Sequence, residues 1–419
     1  MRVSISKSNI SGEVIAPASK SYTIRGLMGA ALAKGESILT SPLLAEDTMA
    51  ARNVLSAIGV AIKPKRNAWQ VSGGRFHAPE KELYCGDSAA TLRIMIAISA
   101  LVPGTTCLTA GPTLGKRPVQ TLINALRQLG VTCEASDGRA LVTVAAGLPG
   151  GVTELPGDIS SQYVSALLLA APGAARPVTI RLSTPPASQP YILMTLDCLK
   201  AFGITVAVSD DFREYQVTPQ LYRPANYVIE GDWSSVSYFL ALGALSGPVT
   251  VSNLNPESRQ GDKVLLDYLR EMGADVTVDN STVTVRKSTL TAIRADLTDC
   301  IDLLPTLAVL AAVADGVSEL RGIARARIKE SNRAAAMSEG LGRMGIAVTE
   351  EEDRMLITGG GARGAEIDPR QDHRIAMAFS VLATVTGKTV VNDAECVAKT
   401  YPDYWEVLQK TGGEVSKDE

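Results

Sequence analysis

The sequence predicts an α/β protein of two domains, built from one unit of helix, strand, helix, strand and strand that is used six times. An apolar, alanine-rich helical segment recurs with starts 67 to 72 residues apart, and each copy leads through a short loop into a strand. A second helix follows each of these strands and ends at a glycine. Self-similarity at a fixed period is the sequence signature of a repeated architecture, so these two recurrences define the fold class.

The elements of the unit can be placed along the chain. The apolar helices start at Ser21, Ser88, Ser160, Asp232, Asp302 and Asp372. The second helices end at Gly59, Gly130, Gly203, Gly273, Gly345 and Gly412. Glycine fits the left-handed position just past a helix. Two alternating strands then follow, as in residues 131–144 and 274–288, and they predict hairpins with Asp, Asn or Gly in the turn.

The last copy of the unit stops near Val415 without a hairpin, and the strand at residues 2–7 has no helix before it. We therefore expect the N-terminal strand to complete the last copy. The chain would then cross between the domains twice, near residues 16–19 and 226–227. This gives one domain of residues 16–227 and another of residues 1–15 plus 228–419. Ligand sites tend to form in clefts between domains, so we expect the active site there.

Composition excludes several classes of partner. The 419 residues carry a formal net charge of -3, which gives no bulk attraction to nucleic acid or to an anionic membrane. Six cysteines without a CxxC pair, and only two histidines, disfavour a metal site and fit a reducing compartment. The N-terminus lacks an apolar signal segment, and the longest apolar runs are too short to span a bilayer. We expect a cytoplasmic monomer that binds no metal, nucleic acid or membrane.

Polar residues cluster where the apolar helices begin. Ser and Asp at these positions are N-caps in the first place. Capping does not explain Lys20, Gln162 or Arg374. The two cations among them, Lys20 and Arg374, also oppose the helix dipole, which carries about half a positive charge at the N-terminus. A bound anion would explain them, since free N–H groups, dipole and side chain then act together. Further cations lie in loops, at Lys116, Arg117, Arg325, Arg327, Lys329, Arg333 and Lys399. Their recurrence at one offset of the repeat favours a polyanionic ligand.

Local motifs along the chain resemble one known family. They are PASKSYTIR, CGDSAATLR, GKRPVQTLINALRQLG, GDISSQYVSALLLAAP, SQPYI, EGDWSSVSYFLA, RIKESNR, DHRIAMAFS and AKTYPDYW. With the sixfold unit they resemble the enolpyruvyl transferases, and within these the 5-enolpyruvylshikimate-3-phosphate synthases. The resemblance implies a two-domain inside-out α/β barrel with three βαβαββ repeats in each domain. It also implies shikimate-3-phosphate and phosphoenolpyruvate as substrates, phosphate release through a tetrahedral intermediate, and no cofactor.

The resemblance implies roles for individual residues. Those for shikimate-3-phosphate are Lys20, Ser21, Arg25, Ser160, Ser161, Gln162, Ser188, Asp302 and Lys329. Those for phosphoenolpyruvate are Lys20, Ala89, Arg117, Gln162, Arg333, Arg374 and Lys399. Three residues would be catalytic: Asp302 as the proton acceptor, Glu330 in proton transfer at the methylene carbon, and Lys20 touching both ligands. The domain of residues 16–227 would bind mainly shikimate-3-phosphate.

The implied chemistry demands such a set. The substrates carry phosphates and carboxylates, and a buried charge without a partner is very costly, so several cations must surround them. The methylene carbon must gain a proton while a ring hydroxyl loses one, which requires an acid and a base at separate points. The cations then stabilise the departing phosphate. Domain closure would exclude water from these steps.

Three positions depart from the family pattern. The family loop usually reads Gly-Asn-X-Gly-Thr, whereas this chain has Gly-Asp-Ser-Ala-Ala from residue 86. Asp87 puts a carboxylate beside an anion site, and capping its own helix is the simplest role for it. Ala89 adds a methyl group where the family glycine approaches phosphoenolpyruvate, so we expect weaker inhibition by glyphosate. Arg325 stands where many relatives have asparagine, which weakens any role carried over to it.

Three alternatives remain open. A UDP-N-acetylglucosamine enolpyruvyl transferase normally has Lys-Asn near the N-terminus and a reactive cysteine in a mobile loop. Here the pair is Lys20-Ser21, and residues 110–118 contain no cysteine. An RNA terminal-phosphate cyclase should show a broader basic surface, against which the net charge argues. A noncatalytic relative is disfavoured because Asp302 and Glu330 are retained.

Overall fold

The computed structural model describes residues 1–136 and 141–418. The chain divides into two compact units, Ala18–Glu230, here the inserted unit, and Met1–Pro17 with Gly231–Glu419, here the split unit. The chain thus crosses between the units at residues 17–18 and 230–231, against expected crossings near 16–19 and 226–227. The hairpin turn predicted within residues 131–144 lies outside the described residues. Within the described ranges, no helix combines the length and the apolar character needed to cross a membrane.

The described helices and strands follow in chain order. The helices are α1 (Lys20–Leu32), α2 (Glu46–Ala57), α3 (Ala89–Ile98), α4 (Gln120–Gln128), α5 (Ser161–Ala170), α6 (Gln189–Ala201), α7 (Trp233–Leu245), α8 (Leu265–Glu271), α9 (Leu304–Ala311), α10 (Arg333–Arg343), α11 (His373–Thr386) and α12 (Tyr404–Lys410). The strands up to the second crossing are β1 (Arg2–Ile5), β2 (Gly12–Ile15), β3 (Gly35–Thr40), β4 (Ala61–Lys65), β5 (Ala68–Gly73), β6 (Leu83–Tyr84), β7 (Thr105–Thr109), β8 (Cys133–Ala135), β9 (Val142–Ala145), β10 (Gly151–Leu155), β11 (Val178–Leu182), β12 (Ala207–Val208), β13 (Glu214–Val217) and β14 (Asn226–Val228). The later strands are β15 (Val249–Ser252), β16 (Asp275–Asp279), β17 (Thr282–Arg286), β18 (Arg294–Asp296), β19 (Val317–Arg321), β20 (Ala347–Glu350), β21 (Arg354–Thr358), β22 (Glu366–Ile367), β23 (Thr389–Val391) and β24 (Val415–Asp418).

The four-stranded sheets of the described chain share one pattern. Those of the inserted unit are β14-β3-β5-β4, β6-β7-β9-β8 and β10-β11-β13-β12. Those of the split unit are β2-β15-β17-β16, β18-β19-β21-β20 and β22-β23-β1-β24. In each sheet the first two strands pair in parallel and the other pairs are antiparallel, as in β6-β7-β9-β8. A parallel pair needs a crossover connection, and the apolar helix supplies it in the four sheets whose first two strands are consecutive in the chain. The βαβαββ repeat is therefore confirmed in all six copies.

The N-terminal strand completes the last sheet, as predicted. Strand β1 pairs antiparallel with both β23 and β24, and its residues Val3 and Ile5 are buried. It thus occupies the place that the second hairpin strand fills in the other sheets. The two chain crossings produce a related exchange, since β14 pairs with β3 and β2 pairs with β15.

The first helix of each repeat forms the centre of its unit. In the inserted unit α3 contacts both α1 and α5, and in the split unit α7, α9 and α11 contact one another. These helices are buried on nearly all sides, which fits their apolar composition around the whole helix. The sheets bury one face against them. At the ends of the second helices, the six predicted glycines all have positive φ, between 78° and 103°.

Small residues let the helices pack closely. Gly340 in α10 is buried against the ring of Phe379 in α11, and a Cβ atom on Gly340 would lie 2.2 Å from that ring. Gly342, in the same helix, is exposed, and a Cβ atom there would have no heavy atom within 4 Å. The two glycines therefore test opposite effects of the same added methyl group.

We expect Gly342→Ala to raise the free energy of unfolding by about 0.5–1 kcal/mol, because alanine favours a helix over glycine. Gly340→Ala should instead lower it by about 1–3 kcal/mol, because the methyl group overpacks the contact with Phe379. Urea unfolding followed by circular dichroism measures both. Equal effects of the two substitutions would contradict the packing seen here.

Candidate active site

Four of the six apolar helices begin with a Ser or Asp cap, as expected, although the first cap is Ser19 rather than Ser21. The side chains of Ser19, Ser160, Asp232 and Asp372 each accept a hydrogen bond from a backbone N–H in the first turn of α1, α5, α7 and α11 respectively. Ser88 instead bonds Thr91 through its hydroxyl, at 2.8 Å. Asp302 lies in the 3₁₀ turn Ile301–Leu303 and makes no cap. The prediction was wrong at these two positions, because the ends of α3 and α9 leave both side chains to other partners.

The inserted unit joins the N-terminal ends of α3 and α5 through Arg93. The Arg93 side chain is 3% exposed, and its Nη1 donates to Gln162 Oε1 at 2.7 Å and to Ser160 Oγ at 3.2 Å. Its guanidinium also lies over the ring of Tyr163, 5.0 Å from the centroid. Arg93 thus fixes two of the predicted ligand-binding side chains. The sequence analysis did not assign Arg93 to the site.

Arg25 is a buried cation with neutral partners. It is 2% exposed and donates to the hydroxyls of Thr195 at 2.8 Å and Ser165 at 3.4 Å. Its other acceptors are the carbonyls of Ser21 and Tyr191, both at 3.1 Å. Burial lowers the pKa of the guanidinium. A buried charge without a counter-ion is expensive, so this arrangement favours an anionic ligand nearby.

Other predicted residues of the inserted unit surround these arginines. Lys20 Nζ pairs with Asp47 Oδ2 at 2.9 Å. The hydroxyls of Ser21 and Ser161 make no hydrogen bond within the described residues, and Ser161 is 6% exposed. Ser188 is buried and has a left-handed backbone, with φ of 55°. Such strain in a residue other than glycine is common at ligand sites.

In the split unit, one guanidinium binds three carboxylates. Arg333, the first residue of α10, is 1% exposed. Its Nη1 donates to Asp302 Oδ1 at 2.7 Å, its Nη2 to Glu330 Oε2 at 2.6 Å, and its Nε to Asp372 Oδ2 at 2.7 Å. The charge of these carboxylates raises the pKa of Arg333 against the opposing effect of burial. The three acidic side chains are thereby held on one cation.

Asp302 lies among three cations. Besides Arg333, it accepts from Arg374 Nη2 at 3.1 Å and lies 3.4 Å from Lys329 Nζ. Burial alone would raise the pKa of Asp302, but the three cations outweigh it and hold the pKa well below its ordinary value. Burial lowers the pKa of Lys329 to about 8, in spite of the charge of Asp302. At neutral pH the Asp302 carboxylate is therefore ionised.

Asp262 is a further acidic group that the sequence analysis missed. It is 1% exposed and accepts a hydrogen bond from the Ser234 hydroxyl through Oδ2. Its Oδ1 has no hydrogen-bond partner within the described part of the chain. Burial and the charge of Asp302 raise its pKa to about 7. From sequence alone, Asp262 resembles an ordinary acidic residue in a first helical turn, as does Asp47.

Lys399 contrasts with Arg333. It is 6% exposed, yet forms no hydrogen bond or ion pair with any described residue. It ends the 3₁₀ turn Ala394–Lys399. A nearly buried ammonium group in this state is available to an anion.

The remaining predicted residues have varied surroundings. Ala89 is the buried first residue of α3, and Arg117 follows the 3₁₀ turn Leu114–Lys116. The basic run at residues 325–333 divides, because Arg327 pairs with Glu350 on β20 rather than joining Asp302. Arg325 donates to the carbonyl of Thr298.

Asp87 was expected to cap its own helix, but it does not do so. The cap position of α3 is Ser88, and no side chain caps this helix end. Asp87 Oδ1 instead accepts from the backbone N–H groups of Thr113 and Leu114. The expectation failed because the Gly86-Asp87 turn lies against the loop that follows β7.

Comparison with known proteins now bears on this arrangement. The family model described as EPSP synthase (3-phosphoshikimate 1-carboxyvinyltransferase) matches residues 5–408. The chain belongs to the EPSP synthase family. Curated EPSP synthase family relatives named 3-phosphoshikimate 1-carboxyvinyltransferase include one from Dehalococcoides mccartyi, 51% identical over the full length of both chains. Another, from Methanothermobacter thermautotrophicus, is 40% identical over 98% of this chain and 99% of its own.

Solved structures support the same fold. An EPSP synthase from Acinetobacter baumannii superposes with a TM-score of 0.85 at 28% identity, over 99% of this chain and 100% of that one. The enolpyruvyl transferase NikO from Streptomyces tendae gives a TM-score of 0.80 at 18% identity, over 99% of this chain and 98% of its own, which shows the fold alone. The predicted enolpyruvyl transferase fold is thus confirmed.

We expect Arg333→Met to lower the free energy of unfolding by about 3–5 kcal/mol at pH 7, because it leaves three buried carboxylates without their shared cation. Arg343→Met, at the exposed end of the same helix, should change it by at most about 1 kcal/mol. Urea unfolding measures both.

The Arg333→Met deficit should shrink as pH falls from 7 towards 4. In the wild type the depressed pKa of Asp302 gives stability at neutral pH that is lost on acidification. In the variant the carboxylates can relieve their repulsion by protonation. A deficit that is constant with pH would contradict the charge balance described here.

Proposed function

We propose that this chain transfers the enolpyruvyl group of phosphoenolpyruvate to the 5-hydroxyl of shikimate-3-phosphate and releases phosphate. The observation that carries this proposal is the pair of carboxylates, Asp302 and Glu330, held on the Arg333 guanidinium. The reaction needs a base and an acid at separate points, and these two groups supply them. Membership of the EPSP synthase family supports the choice of substrates.

We assign shikimate-3-phosphate mainly to the inserted unit. The buried Arg25 and the hydroxyl of Ser21 suit the substrate carboxylate. The hydroxyls of Ser160, Ser161 and Ser188, lying at or beside the N-terminal ends of α5 and α6, suit its phosphate. Lys329 adds a positive charge for that phosphate.

We assign phosphoenolpyruvate to a group of five cations. These residues are Lys20, Arg117, Arg333, Arg374 and Lys399, with Gln162 and Ala89 as neutral contacts. Lys399 is the clearest case, because its ammonium group lacks an anionic partner within the described residues. Ala89 carries the methyl group on which the expectation of weak glyphosate inhibition rests, and that expectation stays a prediction.

The reaction then follows in two steps. The 5-hydroxyl oxygen bonds to C2 of phosphoenolpyruvate, and the proton of this hydroxyl passes to Asp302. The methylene carbon C3 gains a proton from the carboxyl group of Glu330. The tetrahedral intermediate next loses a proton from C3 and the phosphate from C2. Lys20 and the arginines stabilise the phosphate as it leaves.

Arg333, Arg374 and Lys329 hold the pKa of Asp302 low, which makes its carboxylate a weak base. We propose that phosphoenolpyruvate competes with Asp302 for the two arginines. As the anionic substrate takes up their charge, the pKa of Asp302 rises and the carboxylate becomes able to accept the hydroxyl proton. Substrate binding would thereby activate the base.

We also propose a monomer that acts in the cytoplasm. All six cysteines are free thiols, which fits a reducing compartment. A need for metal is not expected, since the chemistry requires only charge stabilisation and proton transfer.

The test is phosphate release from purified protein with shikimate-3-phosphate and phosphoenolpyruvate. Lys399→Ala should raise the KM for phosphoenolpyruvate by roughly tenfold or more, because one charged contact is lost. Exposed Lys410→Ala, in the following helix, serves as the matched control. UDP-N-acetylglucosamine in place of shikimate-3-phosphate should give no release. Release only with the sugar nucleotide would overturn the proposal, and no release with either would indicate a noncatalytic relative.

The pKa of Lys329 predicts a pH dependence. Its ammonium group loses its proton above about pH 8, so kcat/KM for shikimate-3-phosphate should fall above that pH. Lys329→Arg keeps the charge and should remove the break from this range. The pH profiles of both proteins, measured at saturating phosphoenolpyruvate, decide the matter. A break near pH 8 that survives in the arginine variant would assign it to another group.

A further inference from the structure

Asp87 fastens the loop that leads to Arg117. Its Oδ1 accepts from the N–H of Leu114 at 2.9 Å and from that of Thr113 at 3.2 Å. Beside this contact, the N–H of Gly111 donates to the carbonyl of Gly86 at 2.8 Å. Two backbone segments that are distant in sequence are therefore held together by a side chain and by a backbone bond.

The fit around the carboxylate is close. A Cβ atom on Gly111 would lie 2.7 Å from Cγ of Asp87, so only glycine leaves room for the carboxylate in this position. One oxygen atom accepts both backbone bonds, and the side chain is just long enough to reach them. A residue with a longer side chain would push the loop away, and one without an acceptor would leave both N–H groups without this partner.

The loop is held at its far end as well. The N–H of Arg117 donates to the carbonyl of Leu114 at 2.9 Å, which closes the 3₁₀ turn. The carbonyl of Pro118 then accepts from the hydroxyl of Tyr163 at 2.5 Å and from Arg93 at 3.4 Å. Arg117 therefore lies between two fixed points, of which Asp87 supplies the first.

We propose that Asp87 is a positioning residue for phosphoenolpyruvate: it sets the conformation of residues 111–117 and, through it, the place of the Arg117 guanidinium. This proposal rests on the proposed function, which assigns Arg117 to that substrate. What the position requires is an acceptor oxygen at this distance from the backbone, rather than a charge. Asparagine has the same oxygen at the same reach and should therefore substitute for aspartate.

Steady-state kinetics of Asp87→Ala and Asp87→Asn test the proposal. The alanine variant should raise the KM for phosphoenolpyruvate by roughly tenfold and leave the KM for shikimate-3-phosphate within about twofold, because it loses both hydrogen bonds that hold the loop. The asparagine variant should stay within about threefold of wild type in both values. Exposed Glu80→Ala, which removes a negative charge about seven positions earlier in the sequence, should change neither.

A double-mutant cycle separates positioning from general damage. In an Arg117→Ala background, Asp87→Ala should add less than about a twofold rise in the KM for phosphoenolpyruvate, because residues that act through one another are not additive. A full additional rise in that background would overturn the proposal, as would an equal rise of both KM values in the single variant.

Hydrogen exchange gives a readout that does not depend on turnover. The amides of Thr113 and Leu114 should exchange faster in Asp87→Ala than in wild type, and as slowly as wild type in Asp87→Asn. Faster exchange with an unchanged KM for phosphoenolpyruvate, or unchanged exchange, would each overturn the proposal. If the wild-type protein releases no phosphate, the proposed function fails, and exchange alone then decides whether Asp87 orders the loop.

Discussion

The bonds from Arg333 to three buried carboxylates are the interaction on which the candidate site depends. Asp302, Glu330 and Asp372 come from three separate stretches of the split unit, and each would repel the others without a shared cation. Asp372 also caps α11, so the same network orients a central helix. Charge balance and helix placement are therefore coupled here. A change in one cannot leave the other untouched.

The two units solve the problem of buried charge in opposite ways. In the split unit, acidic and basic side chains neutralise each other. Asp302, for example, contacts three cations. In the inserted unit, the hydrogen bonds that Arg25 makes among the described residues go to hydroxyl and carbonyl groups. The first arrangement is stable without a ligand but must be rearranged by one. The second is costly without a ligand and gains directly when an anion arrives.

Much of the fold followed from the sequence because the repeat imposes its own register. The glycines at the ends of the second helices, such as Gly59, and the role of the N-terminal strand were both predicted from spacing alone. An element whose type is ambiguous in one copy can be assigned from the other copies, since all six follow one pattern. The capping residues were harder to predict. Ser88 and Asp302 stand at helix starts in the sequence, but in the folded protein their side chains bind Thr91 and Arg333 instead.

The chemistry of the site was harder to predict for a physical reason. Cations at helix starts stood out because they oppose the helix dipole, as Lys20 does. Acidic residues at helix starts are stabilised by the dipole, so their presence there does not indicate a ligand site. Asp47 and Asp262 were therefore missed. The contact of Asp87 with Leu114 joins segments 27 residues apart, and the residues that flank either position do not predict it.

The sheet that holds β1 has a consequence for the order of events during synthesis. Its strand β1 comes from residues 2–5, whereas β22, β23 and β24 come from residue 366 onwards. The inserted unit has all of its strands once residue 228 has been made. The split unit cannot close its last sheet until residue 418 has been made. Its earliest strand must therefore wait unpaired for its neighbours, which makes the first residues of the chain a vulnerable edge during translation.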